Sequence, residues 1–151
     1  AFTSGLTGCV NDARAIHGLL DRHDSGAVNF DCYPLMSTSA TMINGGAIRT
    51  RLQALFTNKD IDIALFYFAG HGSRQNGFGY LCASDVSADN PGIPFEEVLG
   101  LANNSPAKHR FIILDCCHAG AIGDLIATRT PAPLAEGVAI LAACREDQTS
   151  A

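Results

Sequence analysis

The sequence predicts one α/β domain with a mostly parallel central sheet and helices on both faces. Three observations predict this fold. Short apolar runs without polar alternation, typical of strands buried on both faces, recur along the chain. Amphipathic segments with helical spacing lie between these runs. The chain has 151 residues, of which 47% are hydrophobic and 17% charged, which is enough for one globular core and too little for two.

The first elements of this fold are two helices with a weak strand between them. Residues 11–23 carry apolar side chains at helical spacing, and Asn11 or Asp12 is placed to cap the first turn. Residues 31–36 have a weak strand pattern. Residues 44–57 have apolar side chains on one helical face, which predicts the second helix.

Buried strands dominate the rest of the chain. The run 61–69 (IDIALFYFA) predicts a strand buried on both faces, and 111–114 (FIIL) predicts a second one. The other predicted elements are a strand at 78–83, a helix at 95–103, an exposed Pro-containing linker at 123–137 and a third buried strand at 138–144.

Composition and charge exclude several classes of function. The net charge of −5 and the lack of a Lys/Arg cluster argue against nucleic-acid binding, because phosphates attract basic surfaces. The apolar runs are far shorter than the roughly 20 residues of a membrane-spanning helix. The six cysteines have no metal-type spacing and are too sparse for a small secreted disulfide framework. We therefore expect a cytoplasmic protein with mostly unbridged thiols and no nucleic-acid or membrane partner.

Two of the buried strands end directly in a histidine, His71, and a cysteine, Cys117. In open α/β sheets, functional side chains gather past the carboxyl ends of the strands. If the two strands are neighbours, the imidazole faces the thiol and can hold it as a thiolate, which is a nucleophile towards a carbonyl. Gly72 and Gly120 follow closely and leave backbone N–H groups that would bind an oxyanion.

A structural role is the simpler explanation for the other histidines and for several cysteines. His17, His23 and His109 are expected to be solvated or core residues, and Cys82 and Cys144 to be core thiols inside strands. The pair at the strand ends differs, because polar groups flanked by glycines are a poor way to build a core.

The residues at these strand ends resemble the catalytic segments of the caspase-like cysteine peptidases. The segments are 66–72 (FYFAGHG) and 114–120 (LDCCHAG), and the resemblance continues in 6–13, 80–85 and 137–148. They are most similar to the metacaspase and prokaryotic caspase-like (orthocaspase) branch, whose nucleophile is the Cys immediately before His-Ser/Ala-Gly. The resemblance implies a caspase-like three-layer sandwich.

The resemblance also implies catalytic roles. Cys117 would be the nucleophile that forms an acyl-enzyme, and His71 the general base and acid. The backbone amides of Gly72 and Cys117 would form the oxyanion hole. Cys116 would be a neighbour of the nucleophile. The implied reaction is hydrolysis of a peptide bond in a protein or peptide substrate.

Two carboxylates, Asp12 and Asp115, occupy positions that in metacaspases line the primary specificity pocket, and Cys9 would form a pocket wall. Converging carboxylates favour a substrate Arg or Lys, because a cation offsets their mutual repulsion. Cleavage after a basic residue is therefore expected. Ala69 is a departure, since metacaspases often carry a Ser there. Asp12 would also fit a purely structural role as a helix cap.

The resemblance implies a calcium site only in part. Asp124 matches one metacaspase ligand and Asp85 lies near a second, but residues 95–97 (FEE) replace the paired aspartates. Calcium binds six or more oxygens, and the sequence supplies too few. We therefore assign no metal site and no cofactor, with calcium kept as a candidate activator. Acidic residues such as Glu96 and Glu97 are also ordinary in the first turn of a helix.

By this resemblance, residues 1–151 form the large-subunit portion of a caspase-like peptidase domain, without its first strand and its small-subunit part. The small-subunit part would then be a partner. Arg129 and Arg145 are candidate sites of self-cleavage for an enzyme with a basic-residue pocket.

Two other functions compete with this interpretation. One is a catalytically idle caspase-homologous module that acts by protein–protein binding, which would have no need of His71 and Cys117. The other is a thiol redox or metal protein that uses Cys116, Cys117 and His118, which is disfavoured because three consecutive residues at a strand end cannot converge on one ion.

Overall fold

The structure is a computed structural model that describes residues 7–38, 40–116, 119 and 134–143. Three helices and six strands lie in these ranges. In chain order they are α1 (Thr7–Asp21), α2 (Gly45–Thr57), β1 (Ile63–Gly70), β2 (Gly72–Gln75), β3 (Phe78–Leu81), β4 (Ile93–Pro94), α3 (Phe95–Asn103), β5 (His109–Cys116) and β6 (Val138–Ala142).

The described part of the central sheet has three parallel strands in the order β1-β5-β6. β1 and β5 pair along their whole length, from Ile63 opposite His109 to Gly70 opposite Cys116. A second, antiparallel sheet has the order β2-β3-β4. The parallel strands, with α3 in the connection between β1 and β5, confirm the predicted α/β class.

Alternate residues of β1 and β5 point to opposite faces of the central sheet. One face, which we call the closed face, comprises Ala64, Phe66, Phe68, Ile112, Leu114 and Cys116. It packs against α2 and α3, and its three residues in β5 are at most 1% exposed. Apolar burial on this face is the main stabilising term of the fold.

The opposite face, which we call the open face, comprises Ile63, Leu65, Tyr67, Ala69, Phe111, Ile113 and Asp115. Helix α1 packs against β1 and lies on this face, while Phe111 in β5 remains 39% exposed. Helices therefore lie on both faces, as predicted. The expectation that both strands are buried on both faces was wrong for the open face.

Asn44 starts α2, and its side chain accepts a hydrogen bond from the Ala47 backbone N–H at 2.8 Å. This contact satisfies one of the N–H groups that every helix leaves unpaired in its first turn. Helix α3 spans the predicted residues. Helix α1 begins at Thr7, earlier than predicted. Asn11 and Asp12 therefore lie inside the helix and do not cap it. The earlier start is consistent with the half-buried side chain of Cys9, which precedes the predicted first turn.

One predicted strand is absent and two strands were not predicted. Residues 31–36 form no strand: Pro34 has no N–H to donate to a ladder, and Tyr33 is 66% exposed. The unpredicted strands are β2 and β4, and β2 pairs with β3 across a turn at Asn76 and Gly77. Both turn residues have positive φ, 53° and 81°, the conformation of a two-residue hairpin turn that favours Asn-Gly.

Arg110 anchors the start of β5 from inside the core. Its guanidinium donates to the carbonyls of Ala102 at 3.2 Å, Ala107 at 2.7 Å, Lys108 at 3.1 Å and Glu136 at 2.9 Å. A buried cation is stable here because every contact is a carbonyl dipole and one lies at the negative end of α3. The side chain thereby fixes β5 relative to α3 and to the entry of β6.

Part of the prediction falls on residues outside those described, namely positions 123–133 of the linker and Cys144. The strand predicted up to Cys144 ends at Ala142. Among the described helices, none is both long and apolar enough to cross a bilayer.

Candidate active site

The two predicted catalytic positions follow neighbouring strands. His71 comes directly after β1, and Cys117 comes directly after β5. Gly70 and Cys116, the last residues of these strands, are register partners. The condition that the two strands are neighbours is therefore met. Cys117, His118 and Gly120 themselves lie outside the described residues.

His71 lies in a short connection whose backbone is held at both ends. Its carbonyl accepts a hydrogen bond from the Cys82 backbone N–H at 2.9 Å. Gly72 opens β2 and pairs with Leu81 of β3. His71 and Gly72, together with Ser73, Cys82 and Val86, line a small cleft. The histidine is thus half-buried beside open space at the carboxyl end of the sheet.

Cys116 and Asp115 point in opposite directions from the end of β5. Cys116 is fully buried in the core on the closed face. Asp115 is half-buried on the open face and is the register partner of Ala69. A peptide substrate therefore cannot reach the Cys116 thiol, which the core encloses. The Asp115 carboxylate at this edge is partly accessible to a substrate.

The predicted pocket residues gather around Tyr67, a side chain that the sequence analysis did not single out. Burial, followed by the charge of Asp115 and then that of Asp12, raises the pKa of Tyr67 to about 12, with a smaller contribution from Cys9. Asp115, Asp12 and Cys9 therefore lie near enough to Tyr67 to affect the ionisation of its hydroxyl.

Strand and helix periodicity explain this convergence. Tyr67 and Ala69 are two positions apart on β1, so they share the open face with Asp115. Cys9 and Asp12 are three positions apart on α1, so they share one side of that helix. These two periods were visible in the sequence and could have identified Tyr67, but only if α1 was already known to pack on β1.

Comparison with models of protein families gives one match that covers the whole chain. The family described as the caspase domain matches residues 1–151. The chain belongs to the caspase domain family. No curated protein matches the chain. The α/β fold with its parallel β1-β5-β6 sheet and flanking helices is accordingly a caspase-like sandwich. Membership places the chain in a family of cysteine-type peptidases, which are hydrolases that act on proteins.

The region of this caspase domain where calcium was considered holds an internal ion pair. Arg49 on α2 places its Nε 2.8 Å from Glu97 Oε1 and 3.0 Å from Oε2. Asp85 Oδ1 accepts a hydrogen bond from the Gly45 backbone N–H at 2.8 Å. The Glu97 carboxylate therefore already pairs with the Arg49 guanidinium. The Asp85 carboxylate satisfies an N–H group in the first turn of α2.

The described residues of this region therefore do not fit a calcium site. In the described ranges, no group of three or more His, Cys, Asp and Glu side chains is arranged to hold a metal ion. Asp124, the other residue considered as a ligand, lies outside those ranges.

Proposed function

We propose that this caspase domain is a cysteine endopeptidase of the metacaspase or orthocaspase branch that hydrolyses peptide bonds after Arg or Lys. The main support is that Asp115 on the open face and Asp12 on α1 both lie near enough to Tyr67 to raise its pKa, and Asp115 lies at the same edge of the sheet as His71. Two carboxylates at one place attract a cationic side chain and repel an acidic one.

In the proposed reaction, the Cys117 thiol gives its proton to His71 and the thiolate attacks the scissile carbonyl carbon. The oxyanion that forms is bound by the backbone amides of Gly72 and Cys117. The C–N bond then breaks, and His71 donates its proton to the leaving amine. Water, deprotonated by His71, attacks the acyl-enzyme and releases the carboxylic acid and the thiol.

Burial of Cys116 supports the choice of Cys117 as nucleophile. Side chains alternate along β5, so Cys116 follows Leu114 into the core and not Asp115 into the pocket. A nucleophile must reach a carbonyl at about 3 to 3.5 Å. A thiol that is 0% exposed would reach one only if the core opened.

Self-processing follows from the proposed specificity. An enzyme that cleaves after basic residues would cut its own chain after Arg129 or Arg145, and the small-subunit part would remain as a bound partner in the cytoplasm. Mapping of chain termini by mass spectrometry checks this step. We expect new termini in active protein and none in Cys117→Ala protein, and identical termini in both would contradict it.

The peptidase proposal is tested with short fluorogenic peptides that end in Arg, Lys or Asp before the reporter. The wild type, Cys117→Ala and Cys116→Ala are each assayed with added calcium and with a chelator. We expect cleavage after Arg and Lys by the wild type and by Cys116→Ala, and at least a thousandfold loss in Cys117→Ala. Activity that survives Cys117→Ala would overturn the nucleophile, and faster cleavage after Asp would overturn the pocket.

A further inference from the structure

The loop between β3 and β4, residues 82–92, forms one wall of the cleft beside His71. Two of its side chains, those of Cys82 and Val86, line the cleft. The Cys82 backbone N–H also donates a hydrogen bond to the His71 carbonyl at 2.9 Å. A displacement of this loop would therefore change both the shape of the cleft and the backbone that carries the imidazole.

The sheet holds the two ends of the 82–92 loop, and the start of α2 holds a point inside it. Leu81 and Ile93, which flank the loop, are register partners in β3 and β4. Inside the loop, the Ser84 backbone N–H donates to the Ile43 carbonyl at 2.9 Å, and the Ser84 hydroxyl donates to the same oxygen at 2.7 Å. Ser84 lies between the two cleft residues in the chain, so the wall is fastened to the segment that leads into α2.

Asp85 adds a contact with the helix itself. The N–H of Gly45, the buried first residue of α2, donates to Asp85 Oδ1 at 2.8 Å. The N–H groups of a first helical turn have no carbonyl acceptor within the helix, and a carboxylate is favoured at this positive end. Asn44 accepts from the Ala47 N–H and so serves a different group. Asp85, 40 positions along the chain, is therefore a second cap of α2 that comes from the wall of the cleft.

Helix α2 is a fixed support for the loop because it is anchored in the core. Its side chains Ile48, Leu52 and Phe56 are buried. Asp85, by contrast, is exposed. A single exposed carboxylate thus joins a core helix to the wall of the cleft, and its removal would release the loop without leaving a cavity in the core.

We propose that Asp85 is a positioning residue of the candidate active site: its hydrogen bond to the first N–H of α2 holds the 82–92 loop in place, and through the Cys82 N–H the loop holds the backbone of His71. The inference rests on the proposed function, which assigns the reaction to His71. Asp85 acts through the loop and not on the substrate.

The proposed role affects the chemical steps more than substrate binding. His71 must lie within hydrogen-bond reach of the thiol and then of the leaving amine, so a shift of its backbone slows both proton transfers. The basic side chain of the substrate binds instead to the carboxylates of Asp12 and Asp115. Loss of the Asp85–Gly45 hydrogen bond should therefore lower kcat and leave KM almost unchanged.

The test compares three variants with the wild type. Asp85→Ala removes the acceptor, whereas Asp85→Asn loses the charge and keeps an oxygen that accepts from the Gly45 N–H. Asp89→Ala, which removes an exposed carboxylate from the same loop, is the control. An Arg-ended fluorogenic peptide gives kcat and KM at a temperature where each variant is folded by urea unfolding. Amide hydrogen exchange, measured by NMR, follows Gly45 and Cys82 without a substrate.

We expect Asp85→Ala to lower kcat about tenfold and to change KM less than about twofold, because one lost charge-assisted hydrogen bond shifts the loop towards released positions by about that factor. Asp85→Asn should keep kcat within about threefold of the wild type, and Asp89→Ala should match the wild type. An unchanged kcat in Asp85→Ala would overturn the inference and leave the peptidase intact. Asp85→Asn as slow as Asp85→Ala would also overturn it, because the effect would then come from the lost charge.

Hydrogen exchange separates this inference from the peptidase proposal. In Asp85→Ala the amides of Gly45 and Cys82 should exchange about tenfold faster than in the wild type, whereas Asp89→Ala should leave both rates unchanged. Faster exchange at Cys82 supports the link from Asp85 to His71 even if the wild type cleaves no peptide. An unchanged rate at Cys82 would overturn the inference whatever the peptidase activity.

Discussion

Consecutive residues at the end of β5 meet two different environments. On the closed face, Leu114 and Cys116 are at most 1% exposed and belong to the core with α2 and α3. On the open face, Asp115 is half-buried and lies near Tyr67. A single strand therefore stabilises the fold with every second residue, and the residues between them carry the groups that we propose bind the substrate.

This segregation explains how an acidic pocket is compatible with a stable sheet. Asp12 is exposed and Asp115 only half-buried, so water screens their charges in part and lowers the cost of placing them near each other. The buried apolar side chains of the core lie on the closed face. Substitutions on the closed face should therefore change stability, and those on the open face should change substrate binding.

The largest effect is expected for a cavity in the closed face. Leu114→Ala should lower the free energy of unfolding by about 3 kcal/mol, because it removes buried methyl groups and the packed core relaxes only in part. Leu141→Ala, the same change at a 64% exposed leucine on the open side of β6, should cost no more than about 0.5 kcal/mol. Urea unfolding measures both. Equal losses in the two variants would contradict the distinction between the faces.

The next effect is expected on the open face. Asp115→Asn removes one pocket charge with almost no change in shape, so kcat/KM for Arg peptides should fall about a hundredfold. The free energy of unfolding should change by less than about 1 kcal/mol. Asp89→Asn, at an exposed residue, serves as the control for a lost carboxylate. A large loss of stability with unchanged preference for Arg would assign Asp115 to the fold and not to the pocket.

The smallest effect concerns stability at alkaline pH. The pKa of Tyr67 is raised from its ordinary value of about 10 to about 12. The folded state therefore binds this proton more tightly than the unfolded state. The resulting stabilisation is fully present below about pH 10 and is lost as the pH rises towards 12. The wild type should lose more stability than Tyr67→Phe between about pH 10 and 12. Parallel pH profiles of the two proteins would contradict the raised pKa.

Local patterns in the sequence were enough to predict β1, β5, α2 and α3. In each of these elements the spacing of the apolar residues and the residues that begin or end the element indicate the same structure. Asn44, which caps α2, is an example. The pairing of β1 with β5 was only a condition for His71 and Cys117 to face each other. The rule that functional residues gather at strand ends pointed to the two positions and not to the strand order, which the structure supplies.

Contacts between distant segments could not be predicted in this way. The approach of Tyr67 to Asp115 depends on the β1–β5 register, and its electrostatic setting depends on where α1 packs. The Arg49–Glu97 pair joins α2 to α3 and gives Glu97 a structural partner that the sequence did not indicate. The strand predicted at 31–36 was wrong for the opposite reason: its local pattern was weak, and no described strand pairs with it.

The central claim is that Cys117, served by a pocket for basic residues, is the nucleophile. Its most direct test is covalent labelling with an Arg-terminated acyloxymethyl ketone, followed by intact-mass analysis and mapping of the modified peptide. We expect one adduct, located on Cys117, that forms more slowly in Asp115→Asn protein and equally fast in Asp89→Asn protein. An adduct on Cys116, or faster labelling by the equivalent Asp-terminated reagent, would contradict the claim.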